Sequence, residues 1–134
     1  MTEKVSPLQT EKYHTMKLSN PWYGLVKDDV KKFEIRLYDE KRQDIKLNDL
    51  IKFTDTTGEN EFFKRVDHLS VHKTFELSLK KAGLKKALPG IKSFAEGIKV
   101  YHSIPGYKEG EAKYRTLLIG LQSGLAKPHK YRKI

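Results

Sequence analysis

The chain has 134 residues, 37% of them hydrophobic and 33% charged, no cysteine, and a net charge of +10. That length holds one domain with a real core, the composition is not that of a disordered chain, and the lack of cysteine excludes disulfides and thiolate zinc sites. The N-terminal "MTEKVSPLQTEKYH" has no apolar signal core and no run approaches the ~18 apolar residues of a membrane span, so a soluble, cytoplasmic protein is expected.

Residues 1–12 carry no periodic pattern and are expected to form a flexible arm. The ordered domain is expected over 13–122, opening with "YHTMKLS" as a strand. Asn20 reads as the N-cap of a short helix in "NPWYGLVKDD", with Pro21 at its first position. A strand over about 32–38 follows within "KKFEIRLYDEKRQ". It sends Phe33, Ile35 and Leu37 to one face and Lys32, Glu34, Arg36 and Tyr38 to the other. "IKLNDLIKFTD" is strand-like and broken at Asn48-Asp49, and "TTGEN" is a hairpin connection into the strand "EFFKRVDHLSV". "TFELSLKKAG" reads as a helix capped by Thr74 and stopped by Gly83. After a break at Pro89-Gly90, "SFAEGIKVYH" carries a capping box, Ser93 with Glu96, and places Phe94, Ile98 and Tyr101 at helical spacing. Proline and glycine in "SIPGYKEGE" end that helix, "YRTLLIGLQS" closes the domain as an apolar strand, and 123–134 form a basic, frayed tail. This order fits an α+β domain on a small mixed or barrel-like sheet and not a doubly wound one.

The positive charge is concentrated. Residues 77–95 and 112–134 hold eleven Lys or Arg and no acid, whereas the remaining 16 basic and 17 acidic residues nearly cancel. Either segment alone reads equally well as a solubilising surface. The two together point to a polyanion, RNA or DNA first.

Among candidate site residues, Lys31, Glu34 and Arg36 are the sharpest cluster. A neighbouring cation lowers a carboxylate's pKa, and a desolvated lysine beside other bases has its own lowered toward a general-base value. Alternation alone reads Glu34 and Arg36 as an exposed pair worth under ~1 kcal/mol. His68 and His72 share a face, but no further ligands support a metal site. His14, on the first strand, reads as a hydrogen-bonded structural residue or one pointing into a cleft. No glycine-rich phosphate loop or nucleophile elbow is present, so no cofactor is expected. Trp22, Tyr23, Tyr38, Tyr101, Tyr107 and Tyr114 are candidates for base stacking. Trp22 is expected to pack the first helix onto the core, and some of Tyr101, Tyr107 and Tyr114 to lie exposed near a mouth of the sheet.

"HTMKLSNPWYGLVKDDVKKFEIRLYDEKRQDIKLNDLIKF" resembles the ASCH domain, the activating-signal-cointegrator homology family of PUA-like β-barrels. His14 and Leu18 match the family's His-x-x-x-Leu. Lys31, Glu34 and Arg36 match Lys-x-x-Glu-x-Arg, and Ile45, Asp49, Ile51 and Phe53 match Ile-x-x-Gly-Asp-x-Ile-x-Phe, with Asn48 in place of the glycine. "GIKVYHSIPGYKEGEAKYRTLLIGL" is similar to the C-terminal half of small ASCH-like proteins, so the resemblance spans roughly residues 13–122. It implies a mixed barrel of six strands or so, with a cleft lined by the Lys-x-x-Glu-x-Arg strand, and a link to RNA. Some members resemble RNA-binding modules, one group is a ribonuclease, and a bacterial group hydrolyses acetylated cytidine with a lysine, a threonine and a glutamate. The lysine falls on Lys31, but Glu34 stands at the threonine position, which removes the hydroxyl from that mechanism.

The leading expectation is an RNA- or nucleotide-binding module whose cleft is lined by Lys31, Glu34 and Arg36, with His14, Tyr38, Tyr101 and Tyr107 as further ligand contacts. An RNA-processing enzyme, a ribonuclease or modified-nucleoside amidohydrolase, would use Lys31 as base or electrostatic stabiliser and Glu34 as general acid/base. A regulatory interaction domain is the third class. No metal, membrane or obligate protein partner is expected.

Overall fold

In the computed structural model, which describes residues 11–128, the run "TLLIGL" organises the architecture. This strand, Thr116–Leu121, is buried along its whole length. A continuous apolar run of this kind needs cover on both faces. Leu117, Ile119 and Leu121 feed a core inside the curled sheet with Met16, Val26, Ile51, Phe53, Phe62 and Val66. Leu118 feeds a second core with Ile35, Leu37, Phe75, Leu79, Leu88, Tyr101 and Tyr107, under the helices. Each fully buried large side chain contributes about 1.5–3 kcal/mol relative to exposure.

The strands are β1 (Tyr13–Lys17), β2 (Phe33–Leu37), β3 (Leu50–Thr54), β4 (Glu61–His72) and β5 (Thr116–Leu121), in the order β1-β3-β4-β5-β2. β1 pairs with β3 in parallel and the other pairs are antiparallel. A register shift between Val66 and His68 interrupts the long strand β4. A bulge bends a strand, and this one lets β4 serve both halves of the sheet. Gly120 lies opposite, where an added Cβ would stand 2.6 Å from both Asp67 Oδ1 and His68 Cβ. Among the described residues the resulting half-barrel has five strands, where the resemblance implied six or so, and its edges are β1 and β2.

The helices are α1 (Trp22–Lys27), α2 (Phe75–Ala82), α3 (Leu84–Ala87), α4 (Phe94–His102) and α5 (Tyr107–Tyr114). α2 starts where expected. The Thr74 hydroxyl accepts from Leu77 N–H at 3.1 Å, a cap worth about 1 kcal/mol, and Gly83 ends the helix at φ +90. Phe75, Ser78, Leu79 and Ala82 form its buried stripe. α4 has the expected cap, with Ser93 Oγ accepting from Glu96 N–H.

Several expectations change. Asn20 does not cap α1: Pro21 is the cap, no side chain assists, and the Ser19 and Pro21 carbonyls accept the N–H groups of Tyr23 and Leu25. Within "IKLNDLIKFTD" only Leu50–Thr54 is strand, because residues 39–45 fold into tight turns and Asn48 reverses the chain at φ +71. "YKEGEAKY" is helical rather than a break. α5 starts after Gly106 at φ +83, and Gly110 lets it approach Leu37 so closely that a Cβ there would collide with the leucine methyls. The tail is held as far as it is described: Gly124 N–H donates to the Asp29 carboxylate and Ala126 N–H to the Phe63 carbonyl. The remainder of the expected tail, beyond residue 128, and residues 1–10 of the expected arm lie outside the described residues. Of the arm's described end, Glu11 pairs with Arg65 at 2.7 Å. Among the described residues no helix is long and apolar enough to cross a membrane.

Candidate functional site

The half-barrel does not close between its two edge strands, and a cluster of buried charge lies at the gap. Arg36 spans it: Nη2 on β2 donates to the Lys17 carbonyl at the end of β1 at 2.8 Å. Arg36 Nε donates to Glu34 Oε2 at 2.8 Å, and Lys31 Nζ lies 3.3 Å from Glu34 Oε1. The second face of β2, read from alternation as solvated, is dry at Glu34, 5% exposed, and partly buried at Arg36 and Tyr38, and Lys31 before the strand is buried too, whereas Lys32 is exposed.

Lys31 precedes the strand, and its ammonium folds back beneath it. Nζ donates to the Phe33 carbonyl at 2.7 Å and to the Ala87 carbonyl on α3, so with Glu34 all three of its protons are engaged. It also sits 5.6 Å from the centre of the Trp22 ring, within cation–π range. Burial lowers the Lys31 pKa, and Glu34 opposes that effect without overcoming it. For Glu34 burial acts to raise the pKa, but Arg36 and Lys31 outweigh it and hold the carboxyl below its usual range. Burial would lower the Arg36 pKa, and Glu34, assisted by Tyr107, raises it instead. Glu34 and Arg36 are thus held as ions.

A cavity of about 250 Å³ opens against this triad. Trp22 from α1, Leu88 after α3, Tyr101 from α4, and Ile104 and Tyr107 beside α5 supply its mainly apolar wall, with Leu18, Ser19 and Thr56 across the gap. Phe75 fixes the two tyrosines: its ring is stacked with Tyr101 at 4.8 Å and with Tyr107 at 5.7 Å between centroids.

Of the residues singled out in sequence, Lys31, Glu34, Arg36, Tyr101 and Tyr107 meet at this cavity. The tyrosines are buried in its wall rather than displayed at an exposed mouth. His14 and Tyr38 do not line it. His14 Nε2 is 2.8 Å from Asp49 Oδ2, joining β1 to the turn before β3, and faces a separate polar pocket with Lys41 and Arg42. Two motif residues of the resemblance, His14 and Asp49, thus pair with each other. Tyr38 packs against the inner core, and its N–H donates to the Arg115 carbonyl. His68 and His72 both reach the Ser70 hydroxyl at 2.8 Å. Among the described residues no group of three or more His, Asp or Glu is arranged to hold a metal ion. Trp22 and Ile104 were not foreseen as cavity residues. Trp22 touches both cores, so packing and lining are one role here.

No family model matches the sequence, and no curated protein matches it. Solved structures do match. The hypothetical protein PH0355 is 36% identical over 86% of this chain and 100% of its own, with a TM-score of 0.75. Protein PF0455 from Pyrococcus furiosus is 35% identical over 90% of this chain and 100% of its own, with a TM-score of 0.64. A mutant of ZmASCH from Zymomonas mobilis shares the fold at 11% identity, over 85% of this chain and 72% of its own, with a TM-score of 0.57. The chain belongs to one family with PH0355 and PF0455, and its α+β fold is the PUA-like fold of the ASCH domain.

Proposed function

We propose that the chain is an RNA- or nucleotide-binding module and that the cavity beside Lys31, Glu34 and Arg36 takes a nucleotide or an unpaired base. One observation carries this reading: an ionised, nearly dry carboxylate stands at the wall of a mainly apolar, aromatic-lined cavity. Buried ion clusters are poor stabilisers, and apolar residues of similar volume often serve as well or better. A small apolar pocket with a few convergent polar groups is the usual form of a ligand site.

The roles follow from which atoms are already engaged. Lys31 has no donor left and holds the charge of Glu34 in place. Each Glu34 oxygen accepts one bond from the triad and keeps capacity for a donor on the ligand. Arg36 is 13% exposed along its side chain and presents positive charge at the gap. Trp22 and Tyr107 supply the aromatic part of the wall against which a base would pack. Outside, the exposed Lys80, Lys81, Lys85, Lys86 and Lys92 attract phosphates in a salt-dependent way.

Trp22 is the only tryptophan of the chain, so its emission reports on the cavity. Titration with nucleotides and with short single-stranded RNA is expected to give a saturable change, weakening with added salt for the RNA. Ile104 is 38% exposed at the rim, so Ile104→Glu is expected to abolish the response without unfolding the domain. The absence of both an emission change and binding heat with every nucleotide and RNA sinks the reading.

A further inference from the structure

Tyr101 is only 3% exposed, and among the described residues its hydroxyl is the buried side-chain polar atom left without a hydrogen-bond partner. Leaving such a group unpaired costs about 1–3 kcal/mol, a cost that phenylalanine in the same stack would avoid. The ring cannot swing out to find a partner: it lies within 2° of parallel to Phe75 in the helix-side core. The residue lines the cavity, close enough to Glu34 and Arg36 for both to act on its ionisation. Burial, reinforced by Glu34, keeps the phenol protonated far into alkali, so it is available as a donor.

We propose that the Tyr101 hydroxyl is a specificity-determining hydrogen-bond donor and that, with Glu34, it reads the pairing edge of a single unpaired nucleobase. This rests on the nucleotide reading of the cavity and names which part of the nucleotide enters. An ionised Glu34 only accepts and a neutral Tyr101 donates, so the pair complements a ligand edge with a donor beside an acceptor. A ring N–H next to a carbonyl, or an amino group next to a ring nitrogen, has that arrangement, and every nucleobase carries one on its pairing edge. A phosphate or carboxylate carries no donor for Glu34, so the ligand's anionic end stays toward Arg36 and the solvent at the gap. A base within a duplex has already spent this edge. The volume, about 250 Å³, suits one ring system with its sugar rather than a stretch of strand.

The test uses the full chain, the four ribonucleosides and analogues methylated on the pairing edge, followed by Trp22 emission and calorimetry. At least one nucleoside is expected to bind, and its edge-methylated analogue to bind at least about tenfold more weakly. Tyr101→Phe is expected to lose about tenfold in affinity for the unmodified nucleoside, the value of roughly one hydrogen bond, with a melting temperature equal to or above that of the wild type. Equal binding by Tyr101→Phe, or by the methylated analogue, overturns the role of Tyr101 and leaves the cavity reading standing. Failure of every nucleoside and oligonucleotide to bind overturns both.

Discussion

Replacing Glu34 by glutamine removes the anion from a nearly dry cluster and leaves its two cations behind. Lys31 keeps the carbonyls of Phe33 and Ala87, and Arg36 keeps that of Lys17, but both lose their charged partner. One end of the new amide is itself a donor, so at least one cation meets a donor where it had an acceptor. Each charge-assisted bond contributes about 1.5–3 kcal/mol, and stranding a buried ion costs about 3–5 kcal/mol. The expected loss is about 4 kcal/mol, a large share of the ~5–15 kcal/mol that holds a domain together. Glu61→Gln is the control: its contact with Lys52 is 3.9 Å long and half exposed, worth under about 1 kcal/mol. Urea unfolding at pH 7 reads both variants as midpoint shifts at constant slope. Acid supplies a second signature. The folded pKa of Glu34 lies below its ordinary value, so between the two the unfolded chain binds more protons. The stability that Glu34 contributes is present above the ordinary carboxylate range and is lost as pH falls through the folded value. The wild type's advantage over Glu34→Gln therefore narrows on acidification. A deficit below about 1 kcal/mol at neutral pH, or one that stays constant into acid, refutes the argument from the buried triad.

The remaining predictions concern the frame around the site. Asn60 and Thr57, with the Gly58 amide, hold the Asp55 carboxyl down to about 2, so its NMR titration is expected near that pH, below the ordinary aspartate range. The hairpin stability that Asp55 contributes is present above the ordinary aspartate range and is lost as pH falls toward 2. Gly120→Ala places a methyl against the backbone-anchored Cβ of His68 and is expected to lower stability by about 1–3 kcal/mol in thermal unfolding. Gly24→Ala in α1, where nothing lies within 4 Å of the new methyl, is expected to raise it by about 0.5–1 kcal/mol.

Local signals carried much of this fold, and they failed where distant contacts decide. Thr74, Gly83 and the Ser93–Glu96 box mark helix ends because capping is written within four residues. α5 has no such mark. "YKEGEAKY" has two glutamates, two lysines and a glycine in eight residues, and it is helical because Gly110 lets it sit on Leu37. At the site, alternation put Glu34 and Arg36 on one face of β2 correctly, but alternation does not say whether that face is wet. Only the Lys-x-x-Glu-x-Arg resemblance argued for a cleft. Tyr101 follows helical spacing in sequence, yet nothing local shows that its ring lies against Phe75 and its hydroxyl is unpaired. The position of Ile104 at the rim depends on where the turn between α4 and α5 is carried, a tertiary fact with no local trace.

The guanidinium that joins β2 to β1 is also part of the cavity wall, and this ties two properties that most domains can vary separately. Whatever draws on Arg36 from within the cavity alters its hold on the first strand, and by reciprocity a loosened first strand alters what the cavity can hold. A substitution at this position therefore acts on the seam and the pocket at once. Lysine offers a point charge where one planar group serves Glu34 in one direction and the Lys17 carbonyl in another, so the seam and the pocket must change together or not at all.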